Sequence, residues 1–331
     1  MREFTVQAHD GEQRLSKYLQ KILPTIPQSM LYKWIRTNHI KVNHKRCTPE
    51  QHVQPGDIIY IYVDDHYFTE AQEHATQKTQ TYMQAPAQLD IVYEDAQILL
   101  VNKPVGLVVH CDNRGVADTL INRVLHYLAL SQPSNATSQT FTPALCNRLD
   151  RNTGGLVIAA KTNEALQEMN QCIRKNQVEK TYLCTVVGCL SPGKREVLHG
   201  WHKKSSTHNM VEIRDQAAEG FQSITTEYQV LDTTNKYSLL AVHLITGRTH
   251  QIRAHLAHIG YPILGDNKYG NTQANRRAQC PYQQLWAYQI KFHIEPDSVL
   301  SYLNEKIFCT DLPEFVITEF PNYEKDIIQW T

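Results

Sequence analysis

No stretch of these 331 residues approaches the ~20 consecutive apolar positions that cross a bilayer. The opening residues, Met1 to Thr5, lack the apolar run of a signal peptide. A soluble, cytoplasmic protein with no membrane partner is therefore expected. Paired cysteines are missing too. The eight cysteines are scattered, none stands in a Cys-x-x-Cys pair, and the nearest two are Cys184 and Cys189. That argues against zinc ribbons and a disulfide framework and predicts buried free thiols. There is no long internal repeat. Net charge is absent as well, since 33 Lys and Arg balance 33 Asp and Glu, so bulk electrostatics point to no partner.

A local absence says more. Between Arg14 and Arg46 there is no Asp or Glu, while Arg14, Lys17, Lys21, Lys33, Arg36, Lys41, Lys45 and Arg46 give the segment a net charge of +8. A concentrated basic patch in a neutral protein is an electrostatic footprint for a polyanion; a merely solvated basic face is the alternative.

What is present supports two domains, at roughly 100–200 residues each. Apolar residues make up 41% of the chain, enough for a substantial core. Leu15, Tyr18, Leu19 and Ile22 fall on one helical face. Pro24 and Pro27 then break the chain, and Ser29 is a candidate N-cap for a second helix through Leu31, Trp34 and Ile35. A short strand at Ile40–Val42, a turn at Asn43–Lys45, a second turn at Gln54–Asp57 and a β-rich run from Ile58 complete a small α/β module over residues 12–65. Residues 66–88 are rich in Gln, Thr, Ala and His with few aliphatics, which predicts a flexible linker. Residues 89–325 read as strands interrupted by isolated helices, an α+β pattern. Strands are expected at 91–93, 98–101, 156–160, 182–187, 225–231 and 237–245, with a helix from Asn163.

Three segments carry chemistry. In Asn147-Arg148-Leu149-Asp150-Arg151-Asn152-Thr153-Gly154-Gly155 an acid sits between two arginines, just before a Gly-Gly pair and a buried strand. Neighbouring cations favour the carboxylate form; taken alone, this is as readily a structural ion pair as a catalytic group. Thr246-Gly247-Arg248-Thr249-His250-Gln251-Ile252-Arg253 reads as a strand end, a glycine turn and a helix start, a setting that suits an anion. His250, His255 and His258 are spaced by five and three, without the i, i+4 pair of a helical zinc site, so no metal is expected. In Lys180-Thr181-Tyr182 the tyrosine is either half-buried packing or a face on which a base stacks.

Order and wording together resemble the RluA family of pseudouridine synthases. The resemblance rests on Ile98 to His110 (with Asn102-Lys103-Pro104-Val105-Gly106), Arg148-Leu149-Asp150, Lys180-Thr181-Tyr182, Thr246 to Arg253, and Gly260-Tyr261-Pro262-Ile263-Leu264-Gly265-Asp266. The N-terminal module resembles an S4 RNA-binding domain, carried by Pro27 to Arg36 and Ile40 to Asn43. Within the family the likeness is to S4-bearing enzymes of 23S ribosomal RNA, particularly the RluC type. It implies a mainly antiparallel mixed-sheet catalytic domain with a central cleft, no cofactor, no obligate protein partner, and isomerisation of uridine in RNA. Transfer RNA as substrate and a non-catalytic RNA-binding scaffold are the alternatives. The resemblance implies Asp150 as the catalytic carboxylate, Tyr182 against the uracil and assisting removal of its C5 proton, Arg248 paired with Asp150, and Arg148 and Leu285 at the substrate. It leaves Arg14, Lys17, Lys33, Arg36, Lys41, Lys45 and Arg46 for RNA. Three positions depart from the family: Asn147 where it usually has His, Gly154 where it usually has Ser, and Trp286 where Leu-His-Ala is usual.

Overall fold

The computed structural model describes residues 1–7, 10–110, 116–131, 141–205, 210–324 and 327–330. Cys111 and residue 325, the expected end of the second domain, lie outside them.

The N-terminal module runs β1 (Arg2–Thr5), β2 (Gln13–Arg14), α1 (Leu15–Ile22), α2 (Gln28–Arg36), β3 (Ile40–Val42), β4 (His52–Val53) and β5 (Ile58–Ile61). Leu15, Tyr18 and Leu19 of α1 and Leu31, Trp34 and Ile35 of α2 are buried against Ile40, Val42, Ile59 and Ile61. The second helix begins earlier than Ser29 would start it. Pro27 is the N-cap, and its carbonyl accepts the Met30 and Leu31 amides at 2.9 and 3.2 Å. Its ring presets φ for helix entry, so Ser29 falls inside the first turn.

The expected linker is also revised in its structure. Residues His66–Met83 form an 18-residue helix, α3. Phe68 and Ala71, three apart, complete the core of the N-terminal module. At the far end His126 Nδ1 lies 2.7 Å from the Ala85 carbonyl. Thr69, Thr76, Thr79 and Thr81 each donate to the carbonyl four residues back, so a stretch poor in aliphatics still satisfies its polar groups within a helix.

The second region contains β6 (Ile91–Glu94), β7 (Ile98–Lys103), α4 (Leu120–Ser131), β8 (Ala144–Leu145), β9 (Gly154–Ala160), α5 (Asn163–Arg174), β10 (Val178–Val187), β11 (Arg195–Lys204) and β12 (Val211–Arg214). It continues through β13 (Gln222–Thr233), β14 (Tyr237–Leu244), α6 (Gln251–His258), α7 (Thr272–Arg277), β15 (Leu285–Phe292), β16 (Ile307–Cys309) and α8 (Glu314–Glu319). Among the described residues eleven strands join one sheet, nine on the path β12-β11-β13-β14-β10-β15-β9-β7-β6, with β16 paired to β15 and β8 to β9. Every pairing in it is antiparallel except β15 with β9. This is the expected α+β, mainly antiparallel mixed sheet. One core unites Leu99, Val101, Val157, Tyr182, Val242 and Leu285 with α4 and α6. A second packs α5 on Ile98, Leu100, Leu156 and Ile158.

The thiols do not all follow expectation: Cys172 and Cys184 are buried, but Cys189 is exposed and the other described cysteines are half-buried.

Candidate active site

Asp150 lies in the loop that feeds β9, and several bonds fix that loop. Asn147 Oδ1 accepts the Ile158 amide at 2.8 Å, so this departure from the family's usual His serves the backbone of β9. Leu149 is buried in the main core. The Arg151 carbonyl accepts both the Gly106 amide at 2.9 Å and Lys103 Nζ at 3.0 Å. Lys103 is wholly buried, and it also donates to the Pro104 and Leu107 carbonyls at 2.8 Å. Burial pushes its pKa down to about 7 while Asp150 pulls it up. Three carbonyls hold the ammonium form, which offers three donors where the amine offers two. One lysine thus ties the loop after β7 to the loop of Asp150.

Gly154 and Trp286 are one feature, not two. They are register partners on β9 and β15, and a Cβ at Gly154 would fall inside the Trp286 ring. The ring is anchored by Trp286 Nε1 donating to Thr310 Oγ1 at 2.9 Å. A larger ring at 286 thus goes with the loss of a side chain at 154. Gly155, at φ +107°, brings its backbone against that of Ala287, where no side chain fits.

The cation paired with Asp150 is Arg253, not Arg248. Arg253, on the first turns of α6, donates through Nη1 to Asp150 Oδ2 at 2.6 Å. Arg248 lies exposed before the helix, and its amide donates to Gln251 Oε1 at 3.0 Å. Arg253 also grips Asp266, Nε to Oδ2 at 2.7 Å and Nη2 to Oδ1 at 2.9 Å. Burial opposes the charge on Arg253, but Asp266 and then Asp150 more than offset it and raise its pKa. His250 sits in the left-handed region at φ 53°, with Nε2 3.8 Å from Asp150 Oδ1 and Nδ1 2.9 Å from the Tyr269 hydroxyl. Burial lowers its pKa most, with Asp150 opposing, so the ring is neutral at physiological pH.

Tyr182 and Leu285 share the main core with Ala287 and Leu149. Tyr182 pairs with Ala287 across a register shift between Thr181 and Tyr182, the kind of irregularity that re-aims a side chain. Burial, then the charge of Asp150, raise the Tyr182 pKa, so the phenol stays protonated and its contribution at rest is an aromatic face. Arg148 is exposed beside Asp150. The ensemble is a carboxylate bonded to Arg253 at one oxygen, 29% exposed at its side chain, with the Tyr182 phenol near it. It can present a nucleophile or a base to a flat ring.

Lys103, Arg253 and Asp266 stand within the sequence motifs, but the motifs assign them no role. Strand alternation carried a signal for the first: Leu99, Val101 and Lys103 share a face, and a charge on a core face must be partnered. Asp266 had no local signal.

In the N-terminal module, Arg14, Lys17, Lys33, Arg36, Lys45 and Arg46 are exposed and Lys41 half-buried. Among the described residues none of these seven is paired with a carboxylate, whereas Lys21 is 3.2 Å from buried Asp10. Lys33 and Arg36 line a hollow of about 410 Å³ with Tyr32, Ile35 and Pro49. Lys45 and Arg46 follow a turn pinned by Asn43, which accepts the Ile58 amide at 2.9 Å and donates to Asp57 at 2.7 Å.

Comparison with known proteins fits this arrangement. Residues 97–258 match the RNA pseudouridylate synthase family and residues 13–59 the S4 domain. The chain is 32% identical over 296 residues to a ribosomal large subunit pseudouridine synthase D of Nitrosomonas europaea, covering 87% of this chain and 79% of that one. It is 31% identical over 268 residues to the synthase of the same name from Yersinia pestis, covering 80% and 75%. Both bear the designation D rather than the RluC type named from the motifs. The solved structure of human RNA pseudouridylate synthase domain containing 1 superposes with a TM-score of 0.55 at 22% identity, over 74% of this chain and 91% of that one, and shares the fold.

Proposed function

This chain belongs to the RNA pseudouridylate synthase family and carries an S4 domain, and from that premise we propose that it isomerises specific uridines in ribosomal RNA of the large subunit, 23S RNA, with Asp150 as the catalytic carboxylate. The observation that carries the reading is the Asp150 carboxylate held 2.6 Å from a buried arginine and close enough to Tyr182 for its charge to act on the phenol.

The reaction breaks the N1–C1′ bond, turns the uracil, forms C5–C1′, and moves the proton from C5 to N1. No electrons are exchanged and no water is consumed, so a positioned carboxylate suffices in principle. One oxygen of Asp150 is taken by Arg253, and the other is left for the nucleotide. Tyr182 supplies a face for the ring, Leu285 an apolar floor, and exposed Arg148 and Arg248 reach the flanking phosphates. The carboxylate cannot meet C1′ within a stacked helix, so the uridine is turned out, at a cost of a few kcal/mol. Contacts along the RNA offset that cost, and the unpaired cations of residues 14–46 provide them. The names of the relatives favour ribosomal over transfer RNA. A cytoplasmic location follows from that substrate; among the described residues no helix is long and apolar enough to cross a membrane.

The test is pseudouridine mapping of ribosomal and transfer RNA from cells with the wild-type protein, without it, and with Asp150→Asn. Sites in 23S RNA should be lost in both altered strains, with RNA binding by the purified variant retained. Loss confined to transfer RNA would overturn the substrate, and full modification by Asp150→Asn would overturn the catalyst.

A further inference from the structure

Arg253 stands between two carboxylates that are built differently. Asp150 belongs to a loop and takes one donor, Nη1, at 2.6 Å. Asp266 is 1% exposed and takes the two others that form a side-on fork, Nε and Nη2. Asp266 is itself immobilised. Its Oδ1 accepts the amides of Lys268 at 2.8 Å and Tyr269 at 3.1 Å. Its carbonyl accepts Asn275 Nδ2 at 3.0 Å, and Asn275 Oδ1 in turn accepts the Gly265 amide at 2.7 Å.

Two consequences follow. The side-on edge, Nε and Nη2, is occupied by Asp266, so the guanidinium cannot offer that fork to Asp150. Its charge is also already matched by Asp266. A lone arginine–aspartate couple sums to zero, whereas two carboxylates and one arginine sum to −1. Asp150 is thereby oriented by a cation without being neutralised by it.

We propose that Asp266 is a positioning residue for the reaction: it aims Arg253 and cancels its charge, so that Asp150 keeps a defined direction and its full electron-donating capacity. This rests on Asp150 being the catalytic carboxylate. Among the described residues the charged or titratable groups that interact with Asp150, besides Asp266, include Arg253 and His250 on and before α6, Lys103 at the end of β7, Lys268 and the Tyr269 phenol after Asp266, and the Tyr182 phenol on β10.

The experiment compares wild type, Asp266→Asn and Asp266→Glu in single-turnover assays across pH on a 23S RNA fragment, with RNA affinity measured in parallel. Asparagine keeps an acceptor for the two amides but removes the charge. Its rate should fall about 100-fold, the order expected for lost alignment, with RNA affinity retained. The acid limb of its pH profile should move to lower pH, because the unmatched Arg253 charge now favours the ionised carboxylate. Glutamate restores charge but not placement, so its rate should stay low with the limb back at the wild-type position; it decides the matter alone if the asparagine variant does not fold. A limb at the wild-type position in the asparagine variant, or, in either variant, a wild-type rate or a rate loss that merely tracks the amount of folded protein, would overturn the proposal. Asp150→Asn in the same assay separates the two readings: activity there would sink the catalytic assignment and this proposal with it, whereas an inactive Asp150→Asn beside Asp266 variants of wild-type rate would sink the role of Asp266 alone.

Discussion

The two halves of the molecule use the same cationic side chains in opposite ways. In the catalytic half Lys103 and Arg253 are 0% and 5% exposed, and each spends its donors on named acceptors. In the S4 half the cations are largely exposed, and among the described residues seven lack a carboxylate partner. Buried charges set position, because a buried donor left unmet costs about 1–3 kcal/mol and more when charged. Exposed charges set a field, in which each contributes a similar, salt-screened share. Substitutions should therefore be strongly coupled in the first half and nearly additive in the second.

The largest effect tests coupling through shape. Gly154→Ser places an atom inside the Trp286 ring. Overpacking of this kind costs about 2–3 kcal/mol, and roughly 2–4 °C of Tm per kcal/mol follows for a unit of this size. Trp286→His alone opens a void and loses the bond to Thr310 Oγ1. The double variant, which has the residues usual in the family at both positions, should be more stable than the sum of the singles predicts by at least about 1 kcal/mol. Thermal unfolding of the four proteins reads this directly, and additive changes would show that Gly154 and Trp286 are unrelated departures.

That pair also marks how far the sequence is legible. The strand at 156–160, the amphipathic face of α1 and the strands 225–231 and 237–245 follow from local pattern, and the structure has them, with β9 extended back through Gly154 and Gly155. Tyr182 lies within reach of the Asp150 charge and shares a core with Leu285. The choice between Arg248 and Arg253 was not legible. They lie five apart around a helix start, and only the phase of α6 decides which faces a carboxylate 103 residues away. Nor was Asp266, whose role exists only through Arg253. The helix at 66–83 escaped because composition registers how little a segment can bury, while Phe68 and Ala71 need only two sites in a neighbouring core.

A smaller effect tests the field. Replacing Lys33 and Arg36 by alanine removes two cations that line the hollow on α2. Affinity for the RNA fragment should fall about tenfold at moderate salt, and the salt dependence should flatten by roughly one unit per lost phosphate contact. The single variants should each account for about half of the double, because no shared partner couples them. Filter binding across salt concentrations measures both quantities. An unchanged slope would remove this face from the RNA interface.

The smallest effect reaches the same contrast through helix starts. In the catalytic half α5 begins on Thr162, whose hydroxyl accepts the Ala165 amide at 3.2 Å and donates to Gln97 Oε1 at 2.6 Å. In the S4 half α2 begins on Pro27, which makes no side-chain cap, and Ser29 is an exposed residue of the first turn. Thr162→Ala should cost about 1 kcal/mol, the usual value of a lost N-cap. Ser29→Ala should change stability by no more than a few tenths, since alanine is the better helix former inside the turn. Denaturant unfolding of the two variants compares them on one scale. Equal losses would mean that Ser29 caps α2 after all, and that the S4 half, like the catalytic half, takes its precision from individual side chains rather than from the backbone that carries its charges.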